Sequence, residues 1–168
     1  MMASSAKLSP AARLVMNELE KDGLLMSHHP GKCAVHLIAQ EEITGSWWGH
    51  KKGHLIFNTL GEIYDHSDVL AFKLIHGKVT LVHRKFWPAL FLEFLPPRDW
   101  QLAKLKPDSK KLWQQVCQAK EIRSDQLQAQ WKGKRKISVL VAELEKRLLL
   151  YAQEMHTESG AHAKILMS

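Results

Sequence analysis

Leu8-Ser-Pro-Ala-Ala-Arg-Leu-Val-Met-Asn-Glu-Leu19 and Leu105-Lys-Pro-Asp-Ser-Lys-Lys-Leu-Trp-Gln-Gln-Val116 are two helix openings set 97 positions apart. In the first, Ser9 supplies a polar cap and Pro10 suits the opening turn, where its missing N–H would be unpaired in any case. Leu14, Val15 and Leu19 then keep helical spacing, and Gly23 ends the helix. In the second, the leucine and proline recur, with the basic pair Arg13/Lys110. The apolar pairs Val15/Leu112, Met16/Trp113 and Leu19/Val116 recur with them. A single such opening is common, so the weight falls on the segments downstream of each copy.

After the second copy, Ser124-Asp-Gln-Leu-Gln-Ala-Gln-Trp131 reads as a short helix capped by Ser124. Beyond the basic stretch Lys132-Gly-Lys-Arg-Lys136, Ile137, Leu140, Val141, Leu144 and Leu148 return at helical spacing. Two runs, Leu148–Met155 and Ala161–Leu166, then flank the turn residues Thr157-Glu-Ser-Gly160, which marks a hairpin. After the first copy the pattern is stretched but comparable. A long middle, Leu24–Glu42, leads through Ile43-Thr-Gly-Ser-Trp-Trp-Gly-His-Lys-Lys-Gly-His54 to a helix ending near Tyr64. Asp65–Asp68 is a loop, Val69–Ile75 a strand, His76-Gly77 a turn, and Lys78–Arg84 the return strand. Phe86–Leu95 is expected to form a short helix despite Pro88, and Pro96-Pro97 to separate the halves. The expected fold is therefore α+β: tandem winged helix-turn-helix modules over residues 1–97 and 98–168.

A hydrophobic content of 45% suffices for a packed core and argues against a chain disordered throughout. The formal charge of +7 favours an anionic partner. It is unevenly spread: residues 1–97 hold 10 Lys/Arg and 9 Asp/Glu, residues 98–168 hold 14 and 8. Cys33 and Cys117 are far apart, which supports neither a disulfide framework nor a cysteine zinc site. The N-terminus lacks a signal-peptide apolar block, and Phe86–Pro97 is too short to span a bilayer. The expectation is a soluble cytoplasmic protein with no cofactor and no membrane partner.

Trp47-Trp48 with the lysines after them, Lys73-Leu74, Lys78-Val-Thr-Leu81 and Trp87-Pro88 resemble bacterial proteins related to the AlkZ-type DNA glycosylases. Glu143-Leu-Glu-Lys-Arg-Leu148 and His156-Thr-Glu-Ser-Gly160 resemble the second winged module of the same family. The resemblance covers most of residues 40–168. It implies tandem winged helices and an association with DNA. AlkZ-type enzymes carry a Gln-x-Gln pair at the active site. Here one such pair is Gln128-Ala-Gln130, in the other module.

His50 and His54, four residues apart, would share one face of a helix, the start of a metal site. Lys51 and Lys52 stand between them where a zinc protease motif needs a glutamate; His66 or His83 could supply a third ligand, but nothing in the spacing demands it. A phosphate-facing helix start and a solvated basic turn are the competing readings. Trp47 and Trp48 either stack on an unpaired base or bury one ring and expose the other, and the second is expected. Glu41 and Glu42 are the carboxylates a base-excision reaction would use, with Asp65 and Asp68 nearby. A solvated approach to the helix and ordinary loop residues are the plainer accounts.

Lys132, Lys134, Arg135 and Lys136 precede the third helix of the second module, which enters the major groove in this fold class. With Lys51, Lys52, Trp48 and the hairpin lysines Lys73 and Lys78, they are the expected contacts to double-stranded DNA. A DNA glycosylase or repair accessory is the alternative. A protein-interaction module without DNA binding is the second, since fold does not fix function.

Overall fold

The computed structural model describes residues 8–94, 96–156 and 162–168. The chain is mixed α+β and divides into two compact units, Met1–Leu90 and Phe91–Ser168.

In the first unit α1 (Pro10–Asp22) is followed by β1 (Leu24–Met26), α2 (Ala34–Ala39), α3 (Gly53–Tyr64), β2 (Val69–Ile75) and β3 (Lys78–His83). Ser9 caps α1 by accepting the Ala12 N–H at 3.2 Å, with Pro10 in the first turn. At the other end Gly23 takes φ 82°, and its N–H reaches the Leu19 carbonyl at 2.7 Å. That left-handed end is where glycine is cheapest. It is also crowded: a Cβ on Gly23 would lie 1.8 Å from the Phe86 ring. Phe86 belongs to a 3-10 turn, Arg84–Phe86, directly after β3.

The three strands pair antiparallel in the order β1-β3-β2. The β2–β3 turn is His76-Gly77, with φ 50° and 70°, the double left-handed conformation of a two-residue hairpin. Val15 and Leu19 of α1, Val35 and Ile38 of α2, Ile56, Leu60 and Ile63 of α3, and Leu81 of β3 form the core. Each such side chain, once buried, contributes about 1.5–3 kcal/mol.

Next in the chain come α4 (Trp87–Phe94) and the four-residue α5 (Asp99–Leu102). The second unit continues with α6 (Pro107–Ala119), β4 (Glu121–Arg123), α7 (Ser124–Gln130), α8 (Ile137–Lys146), β5 (Tyr151–His156) and β6 (His162–Met167). Its strands pair antiparallel in the order β4-β6-β5. From α1 and from α6 onward, the two units thus run helix, strand, helix, helix, strand, strand, with the last strand in the middle of the sheet. The offset of 97 holds for α1 and α6 and for β1 and β4. The first unit then spends more chain on its connections, Ser27–Cys33 and Gln40–Lys52.

The second core joins Leu112 and Val116 of α6, Leu127 of α7, Leu140 and Leu144 of α8, and Leu166 of β6. Gln101, fully buried, donates from Nε2 to the Arg147 carbonyl at 2.9 Å and accepts the Arg98 N–H at 2.7 Å. Arg147 answers by donating to the carbonyls of Gln101 and Ala103. These bonds satisfy groups that would otherwise be buried unpaired.

Ser124 corrects a sequence expectation. It does not cap α7: the cap position is Arg123, whose side chain makes no capping bond, and the Ser124 hydroxyl accepts the Lys164 N–H at 2.9 Å. The hydroxyl is engaged by β6 instead. Thr157-Glu-Ser-Gly160, the turn expected at the second hairpin tip, lies outside the described residues.

Candidate nucleic-acid interface

The connection from α7 to α8, Trp131–Lys136, is held by its backbone and by two of its side chains. The Trp131 indole N–H donates to the Arg135 carbonyl at 2.9 Å, and the Arg135 N–H donates to Asp108 at 3.3 Å. Gly133 lies against the same indole, so close that a Cβ there would meet ring atoms at 2.5 Å. The Lys111 ammonium also stands over the ring, 5.6 Å from its centroid.

The loop therefore alternates. Lys132, Lys134 and Lys136 are exposed, while Gly133 and Arg135 are half-buried. Arg135 turns back to Glu143 of α8 at 2.8 Å, and Glu143 also accepts the Ser109 hydroxyl at 2.9 Å. Burial alone would raise the Glu143 carboxyl. Hydrogen bonds from Arg135 and Ser109, with the charges of Arg135 and Arg147, outweigh it and hold the group below the ordinary glutamate range. The four cations expected to act together therefore differ in their surroundings. Three lysines face solvent, and Arg135 neutralises a carboxylate on the adjoining helix.

The outward stripe of α8 consists of Val139, Ala142 and Lys146, with Ser138 beside it; Val139 is 47% exposed. A shallow groove runs along this face, lined by Arg135, Ser138, Val139, Ala142, Glu143 and Lys146. The loop lysines enter this helix at one end and Lys146 stands at the other.

In the first unit the corresponding helix, α3, contains neither lysine nor arginine. His50 and His54 do not share a helical face, because α3 begins only at Gly53 and His50 sits in the preceding turn. Gly53 opens the helix there because its Cα packs against the Trp47 and Trp48 carbonyls, where a Cβ would fall at 3.3 and 3.1 Å. Among the described residues no three His, Cys, Asp or Glu side chains gather as a metal site.

Lys51 and Lys52 are drawn to Glu41, at 3.6 and 3.0 Å, and Lys52 also donates to the Ala39 carbonyl. The contact with Lys52, partly offset by burial and reinforced by the Lys51 and Lys52 charges, keeps Glu41 below the ordinary glutamate range. Glu42 is exposed. Asp68 pairs with Arg84 at 3.1 Å, and Asp65 ends α3. Lys73 lies half-buried on β2, and Lys78 is exposed at the start of β3, one residue beyond the turn. Gln128 and Gln130 are exposed on α7.

Trp47 packs against the core, and Trp48 stacks on it at 4.3 Å while remaining 68% exposed. Phe57 stands 5.8 Å from Trp48, itself 51% exposed. Sequence reasoning did not foresee this aromatic surface beyond Trp48; the signal was Phe57 falling outside the buried series Ile56, Leu60 and Ile63. Among the described residues no helix is long and apolar enough to cross a membrane. Comparison of the chain with protein-family models, curated proteins and solved structures gives no match.

Proposed function

We propose that the two units are tandem winged helix-turn-helix modules and that the second binds double-stranded DNA largely through the phosphate backbone. The observation that carries this reading is the alternation of the α7–α8 connection. Lys132, Lys134 and Lys136 are exposed on a loop pinned by Trp131 and Asp108, directly before α8. Ordered cations lose less freedom on meeting phosphates than cations on a loose chain. The Arg135–Glu143 pair neutralises an acidic charge beside the groove of α8 that would otherwise repel DNA. The shared element order of the two units supports the modular part of the reading.

A salt titration of duplex binding tests it. Each phosphate contact contributes about 0.9 to the slope of log K against log salt. Lys132→Ala/Lys134→Ala/Lys136→Ala is expected to weaken binding and flatten that slope by about 2 to 3. Absence of duplex binding at low salt, or an unchanged slope in the triple variant, refutes the proposal.

A protein-interaction role is favoured for the first unit by one observation. Its third helix lacks cations and carries the exposed Phe57 beside Trp48, a composition suited to a protein contact rather than to phosphate.

A further inference from the structure

The centre of the outward face of α8 holds none of the side chains that read base edges by paired hydrogen bonds. Arg and Lys recognise guanine and Asn or Gln recognise adenine in that way. On α8 the stripe is Val139 and Ala142, with Lys146 only in the last turn, and the acidic Glu143 is taken by Arg135 and Ser109. What the centre of the face offers is a branched aliphatic side chain, 47% exposed, and the methyl group of the half-buried Ala142 one turn further on, both lining a groove. An exposed valine between a cationic loop and Lys146 is placed to meet an apolar mark on an anionic surface. The major groove carries one such mark, the C5 methyl group of its pyrimidines, present on thymine and on 5-methylcytosine.

We propose that Val139 and Ala142 form a methyl-reading face, so that the second unit prefers duplexes whose major groove displays C5 methyl groups. This rests on the duplex-DNA reading and adds a source of selectivity to it. The lysines supply affinity that is blind to sequence, and the valine supplies discrimination that is blind to salt. Removing a methyl from water corresponds to about fourfold in affinity for each methyl contacted.

Fluorescence anisotropy with the full chain tests the inference on duplexes of one length. A thymine duplex is compared with the same duplex built with deoxyuridine, and a cytosine duplex with its 5-methylcytosine counterpart. The expected result is tighter binding to thymine than to deoxyuridine by about fourfold per methyl contacted. Tighter binding to 5-methylcytosine than to cytosine would extend the readable mark to both sources; a gain with thymine alone would assign it to thymine. Val139→Ser, at an exposed site and with its fold checked by circular dichroism, should erase the difference while keeping the salt slope. Equal binding to thymine and deoxyuridine duplexes, or a preference that survives in Val139→Ser, overturns the inference and leaves the phosphate reading standing. Failure to bind any of the four duplexes at low salt overturns both.

Discussion

The indole N–H of Trp131 and the backbone carbonyl of Arg135 meet at 2.9 Å, closing a five-residue loop around the ring. Because the bond uses main chain at one end and a half-buried ring at the other, it fixes the loop without using any of the lysines. Gly133 is the test of how tight that closure is. An added methyl would meet the indole at 2.5 Å, and the ring cannot move without releasing Arg135. Gly133→Ala is expected to cost about 1–3 kcal/mol, the usual range for overpacking. Thermal unfolding checks it: a melting temperature equal to wild type would mean that the loop yields freely.

Arg135 and Lys134 are neighbours with opposite expected phenotypes. Lys134→Ala should leave thermal stability within about 0.5 kcal/mol, as for an exposed position. Arg135→Ala should lower it by about 1 kcal/mol, a figure discounted for the partial exposure of the pair. A double-mutant cycle with Glu143→Gln should recover most of that loss as coupling. Additive effects of the two single changes would dismiss the pair as a structural tie.

The Glu143 carboxyl also confers a pH dependence with a definite sign. Its folded-state pKa lies below its unfolded value, so its contribution is complete above the ordinary glutamate range. The contribution is lost as pH falls from that range through the lower folded value. Glu143→Gln should therefore narrow the difference in stability between neutral and acidic solution. Chemical denaturation at several pH values reads this directly, and parallel curves for wild type and variant would contradict it.

Much of the fold was legible, and the failures share a cause. Pro10 and Pro107 with their apolar residues announce α1 and α6 because thirteen residues give the 3.6-residue period room to show. The same holds for α3, and His76-Gly77 declares its hairpin by turn chemistry alone. Leu24–Met26 and Glu121–Arg123 are invisible by comparison. Three residues carry no period, and they become strands because β3 and β6 present partners: Leu24 faces Val82, and Ile122 faces Leu166. The candidate interface was half legible for a similar reason. The cationic stretch before α8 can be read from composition, whereas the inward turn of Arg135 depends on Glu143, eight residues on, and on Ser109 of a different helix. The spacing of His50 and His54 misled because Gly53 starts the helix between them.

Trp47 and Trp48 are adjacent in sequence and should differ in effect. Trp47, partly buried, packs on the core, and its replacement by alanine should cost about 2–3 kcal/mol. Trp48→Ala removes a 68% exposed ring stacked on its neighbour and should cost well under half of that. Equal losses in urea unfolding would mean that the pair acts as one buried block.

Gly23→Ala combines two penalties, a left-handed backbone and a collision with Phe86. The expected loss is more than about 1 kcal/mol. Adding Phe86→Ala should relieve the collision and leave the backbone cost, so partial recovery in the double variant is the outcome that separates the two.

The alternation in Trp131–Lys136 has a consequence for how this surface can change over generations. The positions that hold the loop's shape and the positions that present its charge are different residues, interleaved one by one. Substitution at 132, 134 or 136 can raise, lower or erase the local charge without disturbing the contacts that shape the loop. Charge on this surface is therefore a setting that mutation can adjust in single steps, while the scaffold beneath it stays as it is.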